Sequence, residues 1–195
     1  MRILWCGLLV VTGLGLSSCT SKVPDQAQSV KAEKPFAAGG TIEMQLDGGD
    51  YVVRASPDDN IRVSTGGNPG NSVAELTTNG THANLIIRDT PHNNFHATLE
   101  IPKTADLTVH LSAGNLEIAA VEGNKNIDSK AGNVGIAVPN ANDYSSVNAS
   151  VKVGDLSAGP FGRSSSGLAP RLSWSGPGKY VLRADLGAGN LEFKH

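Results

Sequence analysis

Ala113-Gly114-Asn115-Leu116-Glu117-Ile118 decides the reading of this chain, because it recurs. It returns as Ala131-Gly132-Asn133-Val134-Gly135-Ile136, more loosely as Val153-Gly154-Asp155-Leu156, and again as Ala188-Gly189-Asn190-Leu191-Glu192-Phe193. Glycine reaches positive φ without steric cost, and Asn or Asp tolerates the left-handed region better than other residues. Each Gly-Asn or Gly-Asp pair therefore reads as a corner. Beyond it strand side chains alternate, so Leu116 and Ile118 point one way and Glu117 the other. Such a unit cannot bury its apolar face alone, but it can when stacked on copies of itself.

The spacing agrees. Gly114 to Gly132 is 18 residues, Gly132 to Gly154 is 22, and Gly154 to Gly189 is 35, close to two periods with a degenerate corner between. A βαβ unit needs roughly 30 residues. Strands advance at most ~3.3 Å per residue, so such a period holds two or three short strands with their corners and no helix. Rungs stack ~4.8 Å apart. Gly114, Gly132, Gly154 and Gly189 then superpose as corners, and Asn115, Asn133, Asp155 and Asn190 form a ladder, as amides do in stacked sheets. The fold expected is all-β, a parallel β-helix or β-solenoid. The alternative is an antiparallel sandwich joined by ordinary Gly-Asn hairpins.

A length of 195 residues suits one domain. The 23 glycines follow no Gly-X-Y repeat, which excludes collagen. The net charge is −2 with no basic block, so nothing is present to neutralise a run of phosphates, and nucleic acid is not an expected partner. Cys6 and Cys19 are the only cysteines. The folded part can have neither a disulfide framework nor a thiolate metal site.

Residues 1–18 read as an export signal: Arg2, then an apolar run from Ile3 to Leu16 too short to span a bilayer. Leu16-Ser17-Ser18-Cys19 resembles the lipobox of bacterial lipoproteins. The resemblance implies cleavage before Cys19, a diacylglycerol thioether on Cys19, and a fatty acyl chain such as palmitate on its amine. Several acyl chains anchor stably where one does not. Thr20 is not the Asp that retains some lipoproteins at the inner membrane, which favours the outer membrane. The alternative is a plain secretory signal with a chance cysteine. Residues 19–40 are polar and read as a flexible lipidated tether, with at most one helical turn from Val30 to Lys34 before Pro35.

The domain is expected over 41–195. Ile42, Met44 and Leu46 alternate with polar residues, and Tyr51 to Ala55, Ile61 to Val63, Leu85 to Ile87, Ala97 to Ile101 and Leu107 to Leu111 read as further strands. Ile101-Pro102-Lys103, Leu107 to Leu111, Ser112 to Leu116 and Val121-Glu122-Gly123-Asn124, with the later Gly176 to Tyr180 and Gly187 to Leu191, make this region similar to the putative-adhesin families of bacterial β-solenoid domains. The resemblance implies a right-handed parallel β-helix at the cell envelope. Its motifs are corners, which carry fold rather than function. Residues 159–176 depart from the pattern and read as an irregular bulge.

Chemical motifs are sparse. His92 and His96 lie four apart, but Pro91 and two Asn residues make the segment a loop, and on a strand they would stand about 13 Å apart. Gly178-Lys179 is followed by Tyr180, not by Ser or Thr and a helix, so it is a turn. Ser164-Ser165-Ser166 lacks the flanking glycines of a nucleophile elbow and reads as a linker. Asp58-Asp59 suits a turn, and Asp106, Asp155 and Asp185 share a face only if rungs align. The dense acid repeat of calcium solenoids is missing. Trp174 reads as a cover for an end or side of the core.

The expectation is a non-enzymatic envelope lipoprotein, anchored through Cys19, with no metal or cofactor, presenting a binding surface to a protein or glycan. One rival is a polysaccharide-active β-helix enzyme, which needs a groove holding two acids, or an acid with Arg or Lys. The other is a structural protein stacking end to end: the sequence closes on Glu192-Phe193-Lys194-His195, directly on a rung, with no helix to cover a parallel edge.

Overall fold

A computed structural model describes residues 29–195. The expected signal segment, Cys19 and residues 20–28 lie outside the described residues. The described chain is all-β, with fourteen strands in one sheet. In order these are β1 (Ser29–Pro35), β2 (Thr41–Leu46), β3 (Gly49–Ala55), β4 (Asn60–Gly67), β5 (Val73–Asn79), β6 (His82–Arg88), β7 (Phe95–Ile101), β8 (Asp106–Leu111), β9 (Gly114–Ile118), β10 (Lys125–Ala137), β11 (Tyr144–Ala158), β12 (Arg163–Leu168), β13 (Arg171–Ser175) and β14 (Tyr180–Lys194).

The sheet is bent along a line of glycine corners into two arms and is nearly closed, like a barrel. The strands β10, β11 and β14 run through the corner, while β2/β3, β6/β7 and β8/β9 break at it. Across the first arm the order is β5, β6, β2, β8, β10, β14, β11, β13, and all pairs are parallel except the outermost at each end. Across the second arm it is β1, β4, β7, β3, β9, β10, β14, β11, β12, again antiparallel only toward the ends.

Alternation gives each arm an inward column. Leu85, Met44, Val109, Ile127, Ala184 and Ala149 lie side by side on the first arm, all buried. Leu99, Val53, Ile118, Ile136, Phe193 and Ala158 do the same on the second. Both columns belong to one core. At ~1.5–3 kcal/mol per large buried aliphatic, this shared lining is what holds the arms together.

Four expectations change. The corner strands do not follow chain order: β14 lies between β10 and β11, so the 35 residues from Gly154 to Gly189 contain no further corner. They hold two short strands, β12 and β13, each paired antiparallel with β11 on its outer side. Residues 159–176 are therefore two ordered edge strands rather than a bulge or linker. The last strand is interior, which removes the exposed parallel edge that motivated end-to-end stacking. Finally, the tether shortens. β1 pairs with β4, Phe36 is buried, and Glu33, Arg62, Glu100 and Arg54 form a cross-strand file of alternating charge. In that file Arg62 Nε is 2.9 Å from Glu33 and Arg54 Nη2 is 2.8 Å from Glu100.

One inward position is occupied by a lysine. Lys125 sits between Leu107 and Leu182 and is 2 % exposed. Its ammonium donates to Val121 O (2.7 Å), Gly123 O (3.2 Å) and the Tyr144 hydroxyl (3.1 Å), so all three protons are used. Burial pushes its pKa down from 10.5 to about 8, with Asp106 and Glu122 opposing. Burial, with help from Asp143 and Tyr180, pushes the Tyr144 phenol up from 10.0 to about 12. Between pH 8 and 10.5 the unfolded chain therefore holds a proton at Lys125 that the folded chain lacks, and stability rises with pH. Above pH 10 the unfolded tyrosine ionises first, and stability falls. Urea melts are expected to show a maximum between about pH 9 and 10, with a rise from pH 7 on the order of 3 kcal/mol at most. Lys125→Met should abolish the rise and keep the fall.

Candidate functional site

The corners are built by close approach. Gly49, Gly114, Gly132, Gly189 and Gly154 occupy successive places in the sheet. At Gly132 φ is +123°, and an added Cβ would lie 1.7 Å from the Gly114 carbonyl oxygen. Only a residue without Cβ lets neighbouring corners pack at strand spacing.

The next residue of each corner faces outward, and these residues form a ladder. Asn190 Nδ2 donates to Asn133 Oδ1 (2.9 Å), Asn133 to Asn115 (2.8 Å), and Asn115 to Asp50 Oδ1 (2.6 Å). All donations run one way, toward a carboxylate that can only accept, and such chains polarise one another. Asp50 also lies 3.2 Å from His96 Nδ1, whose Nε2 is 2.9 Å from Asn94 Oδ1. At the other end Asp155 is in register with Asn190. Each ladder amide keeps a second N–H and a lone pair for a ligand.

Beside the ladder runs a groove of about 460 Å³ on the outside of the second arm. Its far wall is Glu117, Lys194 and Glu192, with Lys194 Nζ 3.1 Å from Glu117 and 3.6 Å from Glu192. The Glu117 carboxylate holds the Lys194 ammonium above its ordinary range, against some desolvation. Gly135 is part of the lining, where a Cβ would come within 2.0 Å of Glu117 Oε2. Half-exposed Val52 adds an apolar spot. The groove offers planar amides, a mixed-charge wall and an apolar contact, which suits a polyhydroxylated or peptide-like ligand.

All eight expected corner residues, Gly114, Asn115, Gly132, Asn133, Gly154, Asp155, Gly189 and Asn190, come together here. The site also contains Gly49 and Asp50, which the eight expected corner residues leave out. Gly49-Asp50-Tyr51-Val52-Val53 nevertheless fits the same corner-plus-alternation pattern. The other candidates scatter. His92 is exposed in a loop. Asp106 accepts from the backbone and side chain of Asn124 (2.8 and 3.0 Å). Asp58 closes its turn on Ser56, Asn60 and Arg62. Trp174 packs on Phe161, ring centroids 5.1 Å apart. Among the described residues no group of three His, Cys, Asp or Glu side chains is placed to hold a metal ion. A shallow depression of about 610 Å³ on the first arm gathers Glu43, Asp128, His110 and Lys130. Arg88 at its edge is already paired with Glu75 and Asp89.

No protein-family model and no curated protein matches the chain. The fold is similar to that of a crystal structure described as a putative cell adhesion protein from Clostridium sporogenes, with a TM-score of 0.54. The likeness covers 87 % of this chain and 100 % of that one at 12 % identity, so it is a likeness of fold.

Proposed function

We propose that the chain is a non-enzymatic, lipid-anchored protein of the bacterial outer membrane, an adhesin-like parallel β-helix that presents a binding surface to an envelope protein or glycan. The observation that carries this reading is the exposed one-way amide ladder along a polar groove. The coil is right-handed by the general rule for parallel crossovers. The lipobox-like Leu16-Ser17-Ser18-Cys19 supports the anchor, and the adhesion-protein neighbour is consistent with a binding role. Capture of an envelope glycan or protein by the purified chain tests the binding, and an empty capture across both classes refutes it. Growth with labelled fatty acid tests the anchor: the natural chain takes up label and Cys19→Ala does not. Label retained by that variant refutes lipidation at Cys19.

A second reading, a polysaccharide-active enzyme, has one observation in its favour, the acids and lysine gathered in the first-arm depression. It predicts glycan turnover in a substrate screen, lost in Asp128→Asn.

A further inference from the structure

We propose that the groove beside the amide ladder binds a neutral, linear glycan laid across the strands, one sugar unit to each ladder position. The proposal rests on the binding role given above and names the ligand class of that same site.

Register makes the groove long and straight-sided. One wall is the file Asp50, Asn115, Asn133 and Asn190. The other is Val52, Glu117, Gly135 and Glu192, from the same four neighbouring strands, β3, β9, β10 and β14. The two files stand two residues apart along each strand, about 6.6 Å, and run over three strand spacings, about 14 Å. At Gly135 the second wall lacks a side chain, and the Glu117–Lys194 pair closes the gap: Lys194 Nζ lies 3.1 Å from where a Cβ would be. Tyr51, Leu116 and Val134 are buried in the core, so the floor between the walls is main chain.

That shape selects among occupants. The strands that form the floor are already paired on both sides, so a peptide cannot add there as a further strand. An extended peptide laid across the strands advances ~3.3 Å per residue, out of step with ladder amides ~4.8 Å apart. A pyranose unit of a linear β-linked chain is close to one strand spacing in length, and it carries hydroxyls along both edges, facing both walls. A hydroxyl both donates and accepts, which matches the N–H and the lone pair that each ladder amide keeps. The ladder bonds also hold the amides in place before a sugar arrives, which lowers the ordering cost of binding.

Charge decides which glycan. The walls hold Asp50, Glu117 and Glu192 against Lys194, and Asp155 follows in register beyond Asn190. His96 lies 3.2 Å from Asp50 at the other end. Carboxylates outnumber the ammonium, so a uronate chain is repelled, whereas a neutral chain meets no opposing charge.

The test is titration of the isotope-labelled purified chain with cello-oligosaccharides of two to six units, with trigalacturonate and with an uncharged hexapeptide, followed by nuclear magnetic resonance. Affinity is expected to rise about 2–10-fold with each added sugar up to about four units, and then to level off. The side-chain amide signals of Asn115, Asn133 and Asn190 should move together, and that of Asn126, exposed on the first arm, should stay. Asn133→Ala should weaken cellohexaose binding on the order of 10-fold. Should that variant melt far below the parent, the amide signals of the parent still decide. Affinity that does not grow beyond the disaccharide would overturn the chain laid across the strands. Tighter binding of trigalacturonate or of the peptide would overturn the ligand class, and glycan binding that leaves the three amide signals unmoved would overturn the site. No glycan binding, together with capture of an envelope protein, would refute the glycan and leave the proposed function standing. Glycan binding with an empty envelope capture would do the reverse.

Discussion

Gly132→Ala is expected to leave the chain largely unfolded, whereas Gly80→Ala should cost only about 1–2 kcal/mol. Both glycines have positive φ, +123° and +59°. They differ in what a Cβ would meet. At Gly80 nothing lies within 4 Å, and at Gly132 the Gly114 carbonyl oxygen lies at 1.7 Å. That obstacle is backbone, and it cannot swing aside as a side chain does. Gly132 itself presents the carbonyl that Gly189 approaches, where an added Cβ would lie at 1.8 Å, so a shift in one corner is passed to the next. Backbone strain alone is about 1–3 kcal/mol. With the clash the total should exceed about 4 kcal/mol, a large share of the roughly 5–15 kcal/mol that holds a domain together. Circular dichroism and urea melts of the two variants decide it. A Gly132→Ala protein that melts with the parent would mean that the corners are not stacked as described.

The same contrast explains what could be read in advance. A corner that stacks must be glycine, and the residue that forms the ladder must be a small amide or acid. Those demands are local and recur in each copy, so Gly114-Asn115 and its repeats were legible. Rung order was not. Any permutation of identical corners satisfies the same local chemistry, and nothing in Gly189-Asn190 says that its neighbours are Gly132 and Gly154. The edge strands β12 and β13 were not legible either. β12 is exposed on every residue, so it shows no apolar alternation, and Ser164 to Ser166 looks like a linker. β1 was hidden for a related reason. Three of its five described side chains are charged and none is a large apolar one, and it is held by the Glu33–Arg62 pair, by main-chain hydrogen bonds and by Phe36 just beyond it. Lys125 was within reach: parity with Ile127 places it inward, against the usual bias for lysine. The first-arm depression depends on which strands lie side by side, which no local pattern carries.

Leu116→Asp should be the most damaging single change at an inward position, and its pH dependence identifies the cause. Leu116 is 1 % exposed and lies in register with Tyr51 and Val134, so no water reaches the new side chain. Truncating a buried leucine costs about 3–5 kcal/mol. The introduced carboxyl adds to this, because an unpaired charge there must either stay desolvated or take up a proton. Holding a carboxyl of ordinary pKa near 3.9 protonated at pH 7 costs about 4 kcal/mol. The sum, about 7–9 kcal/mol, is comparable with the whole stability of a domain. The folded pKa of that carboxyl would be raised, so the added cost is absent near pH 4 and grows as pH rises. Leu116→Ala should lack this dependence, which separates charge from cavity. Glu117→Lys, one residue on, loses the half-exposed pair with Lys194 and sets two lysines together, an effect of about 1 kcal/mol. If the damage fell on Glu117 instead of Leu116, the alternation that places the core of the second arm would be shifted by one residue.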